Sequence, residues 1–258
     1  MINFELGDLQ VTVSEFVAQV EICRPPHNYF DVPLIADLAT VLERLDGMDE
    51  CRATVLCSQG KSFCAGADFS KPQIYDREAG TTQLYANAVR LFGVHKPIIA
   101  AVQGAAIGGG TGLALVADFR VGCPETRFST NFVKLGTHAG FGITHTLPRL
   151  IGPQRASLML YTGRRVNGDE AYAWGLLDEL VAQDEVRDVA RALAREIAAN
   201  APLAVVATKD TLRSGLADAV RLQTGIEDHK QRELFETFDH QEGVQAVAQR
   251  RPGRFIGS

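Results

Sequence analysis

Between Val11 and Ile22 apolar and polar residues alternate loosely, with Val11, Val13, Val17 and Val20 apolar, the pattern of a half-buried strand pair. The period then changes. After Asp31-Val32-Pro33 the apolar residues Leu34, Ile35, Leu38, Val41, Leu42 and Leu45 recur at helical spacing, which predicts a helix capped by Asp31. Residues 53–57, 97–102 and 119–123 read as short buried strands. Residues 70–80 read as a loop, and residues 82–94 and 109–117 as helices. From Thr144 onward the pattern is almost wholly helical, over residues 153–161, 169–174, 184–199, 202–212 and 216–238. Strands that alternate with helices predict stacked β–α crossovers, here an α/β core followed by a helical C-terminal third.

Residues 98–117 carry no charge and reach the length of a membrane span. Five glycines and Gln103 interrupt them, and they begin as a β-type run, so a buried strand–turn–helix is expected instead. The chain's 258 residues suffice for one large domain. A net charge of −5 argues against nucleic acid as the main partner. Five cysteines without framework spacing, and a first segment with Glu5, Asp8 and Glu15 but no basic stretch, predict a reduced, cytoplasmic setting without a signal peptide or membrane attachment. No His, Cys, Asp or Glu spacing suggests a metal site.

Two segments carry the candidate chemistry: Ser62-Phe63-Cys64-Ala65-Gly66-Ala67-Asp68 and Ala106-Ile107-Gly108-Gly109-Gly110. The second runs from an apolar strand into a helix start, where free N–H groups attract developing negative charge. The glycines do not spell GxGxxG. Gly60-Lys61-Ser62 is no phosphate loop, because Val55 stands where its first glycine belongs.

In this order and spacing the two segments, the early Arg24-Pro25 with Asn28, Leu147-Pro148-Arg149-Leu150-Ile151-Gly152, Thr162-Gly163-Arg164-Arg165, the run from Ala171 to Leu176 and the tail from Phe238 to Pro252 resemble the enoyl-CoA hydratase/isomerase (crotonase) superfamily. The resemblance spans nearly the whole chain. It implies a spiral ββα core over residues 1–200 that binds acyl-CoA, and a helical oligomerisation region over residues 201–258 that builds a homotrimer or a dimer of trimers. Coenzyme A enters as part of the substrate, with no separate cofactor. Carried over by position, the thioester oxygen would accept from the N–H groups of Ala65 and Gly109. Arg24, Ala67, Asp68, Tyr75, Gly108, Phe132 and Gly140 would border the substrate.

Hydrating an enoyl thioester requires a base to activate water and an acid to protonate carbon. Hydratases of the family place glutamates at two positions that are Gly112 and Phe132 here, and some members use a third that is Gly140. None can move a proton, and losing one well-placed acid or base costs about 10²–10⁴ in rate. The expectation is therefore non-standard chemistry on an acyl-CoA: C–C hydrolysis, decarboxylation, or a specialised hydration or isomerisation. The alternative is an acyl-CoA-binding protein without turnover. His138 is the titratable candidate beside the predicted site. His145 reads as packing, Cys64 as an inert buried thiol, and Asp118 as a structural partner of Arg120. The run from Glu227 to Arg232, with Arg250, Arg251 and Arg254, reads as a solvated helix face and tail, and the resemblance implies that some of its basic residues approach CoA phosphates.

Overall fold

The computed structural model describes residues 1–68 and 81–258, and the backbone of Tyr75 and Asp76. Alternating valines build the first sheet edge: β1 (Ile2–Leu6), β2 (Leu9–Ser14) and β3 (Val17–Ile22) run antiparallel to one another. From β3 onward the same sheet is parallel, through β4 (Ala53–Ser58), β7 (Ile98–Val102), β9 (Phe119–Gly122) and β12 (Glu179–Leu180). Of the short pair β5 (Tyr75–Asp76) and β6 (Thr81–Thr82), the first falls within the segment expected to be loop and the second just after it. A second sheet orders β11 (Arg165–Asn167), β10 (Arg127–Ser129) and β8 (Ala105–Ile107).

Every residue of β4 and β7 is buried, as a sheet covered on both faces requires. On one face Leu56, Ile98, Ala100 and Val102 pack with α1 (Val32–Asp46), α2 (Gln83–Phe92) and α3 (Gly109–Val116). On the other, Val55, Cys57, Ile99, Ala101 and Val121 meet Ala190, Ala194 and Ala198 of α7 (Val186–Ala198). The α1 prediction holds in detail. Asp31 accepts from Leu34 N at 3.1 Å, and all six apolar residues of the stripe are buried, each worth roughly 1.5–3 kcal/mol relative to exposure.

A 3-10 turn (Asn131–Leu135) leads to α4 (Ile143–Ile151), α5 (Pro153–Thr162) and α6 (Gly168–Trp174). After α7 come α8 (Pro202–Leu212), α9 (Leu216–Phe235) and α10 (Phe238–Ala248). The helix expected over residues 216–238 ends at Phe235, and a further helix begins at Phe238, where Thr237 caps the start and accepts from His240 N at 3.1 Å. α9 returns to pack on α2 and α4, and α10 packs on the 3-10 turn. This return encloses the site. Asp118 does not pair with Arg120 as expected: it binds Lys209 at 3.0 Å and Arg213 at 3.1 Å, while Arg120 pairs with Asp178 at 3.0 Å. No described helix is long and apolar enough to cross a membrane.

Candidate active site

Residues 64–68 are clamped from two sides. Cys64 N donates to Ala105 O at 3.0 Å, and Ile107 N donates to Cys64 O at 2.9 Å, which fixes the segment along β8. Across it, Phe30 N donates to Gly66 O and Asp68 N to Phe30 O. Such an approach needs glycine. A Cβ at Gly110 would stand 2.0 Å from Cys64 O, and one at Gly66, where φ is +104°, would stand 2.9 Å from Ile107 O. The same Cβ would lie 3.8 Å from Gly109 N, so the two segments meet edge to edge.

The parallel bridge of Phe30 with Ala67 uses Gly66 O and Asp68 N, which turns the Ala67 N–H away from Phe30. Among the described residues the Ala67 and Gly109 N–H groups take no hydrogen bond. Gly109 opens α3, so its N–H belongs to the unsatisfied first turn. Ala65 differs. Its N–H donates to His27 O at 2.9 Å, which corrects the expectation that this amide serves the cleft.

Ala67 and Gly109 both line a cavity of about 740 Å³. Gly108, Phe132, Gly140 and Ala67 line it. His138 does not: it lies outside the lining, with Nδ1 2.7 Å from Ala139 O and its carbonyl accepting from Gln231 Nε2 at 2.9 Å. Arg24 is also set apart, joined to Asp8 at 2.6 Å and Asp31 at 2.8 Å, where it ties the early loop to the start of α1. Asp68 is held at its backbone by Phe30 and is not part of the lining. The Tyr75 side chain lies outside the described residues. Burial pushes the Cys64 thiol up to about 12, so it carries no thiolate.

The volume that a side chain at 112 or 140 would need is already filled. A Cβ at Gly112 would stand 2.8 Å from Phe141 Cβ, and one at Gly140 would stand 1.9 Å from the Tyr85 hydroxyl. That hydroxyl donates to Gln231 Oε1 at 2.7 Å, and burial raises its pKa, so it stays neutral.

The run from Glu227 to Arg232 is where sequence reading missed most. Glu227 and Asp228 are 0 % and 2 % exposed and Gln231 is buried; this part of α9 faces inward. Asp228, Gln231, Arg232 and Phe235 line the cavity with Tyr85, and His240 of α10 joins them. Glu227 accepts from Gly142 N at 2.7 Å and Thr144 N at 3.0 Å, yet burial outweighs these bonds and pushes it up to about 7. The signal was present as period: Val220, Thr224, Glu227 and Gln231 recur at helical spacing. Their polarity disguised the stripe. Among the described residues no group of three or more His, Cys, Asp or Glu side chains forms a metal site.

Comparison with known proteins agrees with this fold. The family model described as enoyl-CoA hydratase/isomerase matches residues 12–258. A short-chain-enoyl-CoA hydratase of Clostridium acetobutylicum is 32% identical over 252 residues, covering 96% of this chain and 97% of that protein. An (E)-benzylidenesuccinyl-CoA hydratase of Thauera aromatica is 35% identical over 252 residues, covering 95% and 98%. The crystal structure of an enoyl-CoA hydratase/isomerase from Pseudoalteromonas atlantica superposes with a TM-score of 0.88 at 27% identity, covering 97% of this chain and 100% of that one.

Proposed function

The chain belongs to the enoyl-CoA hydratase/isomerase family, whose members act on CoA thioesters, and from that premise we propose that it polarises an acyl-CoA thioester between the N–H groups of Ala67 and Gly109. A thioester oxygen placed there gains negative charge as the α-carbon loses a proton or a substituent, and fixed amides at a helix start stabilise that charge where it develops. The observation that carries the reading is the pair of uncommitted N–H groups on two segments locked edge to edge at a cavity wall.

The relatives named as hydratases support the substrate class. Ordinary hydration is disfavoured, because positions 112 and 132 hold Gly112 and Phe132, and Phe141 fills the space beside the first. The proposed chemistry is enolate formation followed by a step other than two-carboxylate hydration. C–C cleavage, decarboxylation and double-bond migration all pass through that enolate.

The test mixes the protein with 2,4-hexadienoyl-CoA and follows the absorbance of the conjugated thioester. Polarisation by two amides shifts the band to longer wavelength, and an unshifted band on a bound ligand overturns the reading. Crotonyl-CoA serves as the companion probe: hydration at an ordinary hydratase rate overturns the assignment of non-standard chemistry. We further read the exposed Leu203, Leu212, Leu222 and Ile226 of α8 and α9 as a face on which copies of the chain assemble, with a homotrimer as the proposed state.

A further inference from the structure

Two aromatic rings stand directly beside the amide-bearing edge. A Cβ on Gly109 would lie 2.5 Å from Phe30 Cζ, and one on Gly108 would lie 3.8 Å from Phe132 Cζ. Phe30 packs in turn on Phe141, with ring centroids 5.4 Å apart. All three rings are buried and line the one cavity.

The backbone of Phe132 is held as firmly as its ring. Its carbonyl accepts from Thr137 N at 3.1 Å, and Gly136 closes the 3-10 turn in the left-handed region, with φ of +63°. A Cβ on Gly163 would lie 3.2 Å from Asn131 Cα, so the end of α5 backs the turn closely. The turn also packs on α10, whose Val244 and Val247 line the cavity together with Leu135 of the turn. Phe132 thus joins the amide edge to an apolar wall made by α10.

The polar side chains on the cavity are bonded within the protein. Gln231 Oε1 accepts from the Tyr85 hydroxyl at 2.7 Å, and its Nε2 donates to His138 O at 2.9 Å. Asp228 and Arg232 pair at 3.1 Å, and His240 Nδ1 lies 2.8 Å from Leu135 O. A polar substituent on an acyl group would have to break into one of these bonds or lose its water without a partner, and either is unfavourable. An apolar group gains from burial alone. At about 740 Å³ the space lies in the upper half of the range of roughly 300–1,000 Å³ that holds drug-sized ligands.

Resting on the thioester reading above, we infer that the acyl group is large and apolar, a medium-length alkyl chain or one that ends in an aryl ring, and that Phe132 is the residue that selects it. The acyl chain leaves the amides along the Phe30 and Phe132 rings and comes to lie against the α10 wall. Position 132 supplies contact area to the substrate and no proton-transfer group.

Calorimetry with butanoyl-CoA, octanoyl-CoA, 3-phenylpropanoyl-CoA and succinyl-CoA tests this. Octanoyl-CoA and 3-phenylpropanoyl-CoA are expected to bind at least about tenfold more tightly than butanoyl-CoA, since each fully buried methylene is worth about fourfold in affinity. Succinyl-CoA, with its terminal carboxylate, is expected to bind no better than butanoyl-CoA. In Phe132→Ala the preference for octanoyl over butanoyl should fall at least about threefold, with Phe132→Leu between that variant and wild type. A change that only loosens the fold would weaken every thioester alike and leave this ratio where it was. Equal binding of butanoyl-CoA and octanoyl-CoA by the wild type, or succinyl-CoA bound as tightly as octanoyl-CoA, overturns the acyl class. A ratio unchanged in Phe132→Leu or in Phe132→Ala overturns the role of Phe132. Each of these outcomes leaves the thioester reading standing, whereas a wild type that binds none of the four overturns that reading and this inference with it.

Discussion

Phe141 occupies the volume that a side chain at Gly112 would need, its Cβ, Cδ1 and Cγ standing 2.8, 2.8 and 2.9 Å from where that Cβ would sit. The absence of a carboxylate at 112 is thus built into the packing of α3 against its neighbours.

Installing the missing group should fail for this reason. Gly112→Glu is expected to lower the unfolding free energy by about 1–3 kcal/mol from overpacking alone, with the buried charge adding to it. It should confer no hydration of crotonyl-CoA. Combining it with Phe141→Ala should recover part of the stability. Urea midpoints for the three proteins check both statements, and a single variant as stable as wild type would show that the space is not filled.

The Tyr85 hydroxyl stands in the same relation to Gly140. Tyr85→Phe leaves Gln231 Oε1 without its buried donor, at an expected cost of about 1–3 kcal/mol. Gly140→Ala should cost more, because its Cβ would fall 1.9 Å from that hydroxyl. The double variant should be more stable than the sum of the two losses implies, since removing the hydroxyl opens the space. A double-mutant cycle in urea measures the coupling.

Glu227 predicts a pH dependence of stability. Its folded pKa of about 7 lies above the ordinary 4.5, so between those values the folded state holds the proton more tightly than the unfolded chain. Its contribution to stability is present below about pH 4.5 and is lost as pH rises through about 7, a fall of at most about 3 kcal/mol. Unfolding free energies of wild type and Glu227→Gln at several pH values test this. The variant should be less stable at acid pH, where it loses an acceptor for Gly142 or Thr144, and should show a shallower decline over that window.

Leu222 and Ile226 lie one turn apart on α9, 74% and 55% exposed. If copies assemble on this face, Leu222→Asp with Ile226→Asp should convert the trimer to monomer without loss of helix content. Light scattering after size exclusion, with circular dichroism, reads both. A wild type that is monomeric at micromolar concentration would remove the proposal.

The elements legible in the sequence were those whose apolar period is clean. The Leu34–Leu45 stripe, the buried runs of β4 and β7, and the glycines joining Cys64–Asp68 to α3 all declare their place in the fold by pattern alone. The failures share a cause. Ala65 and Ala67 differ only in which neighbour their N–H faces, and that is set by Phe30 and His27, nearly forty residues upstream. His138 is the right kind of residue in the right loop, yet its ring is turned to Ala139 O. Asp228 sits in a run whose charges suggest water, and becomes buried only because α9 folds back on α2 and α4. Local pattern fixes elements, whereas the direction of an amide or a carboxylate depends on partners far along the chain.

The Tyr85–Gln231 bond spans 146 residues and joins two walls of one chamber. The amide-bearing edge comes with the first half of the chain, and the polar wall with its penultimate helix. Under the proposed function, exchange of the last third between relatives is expected to change substrate preference and keep the thioester's anchorage, provided the tyrosine–glutamine clasp travels as a matched pair.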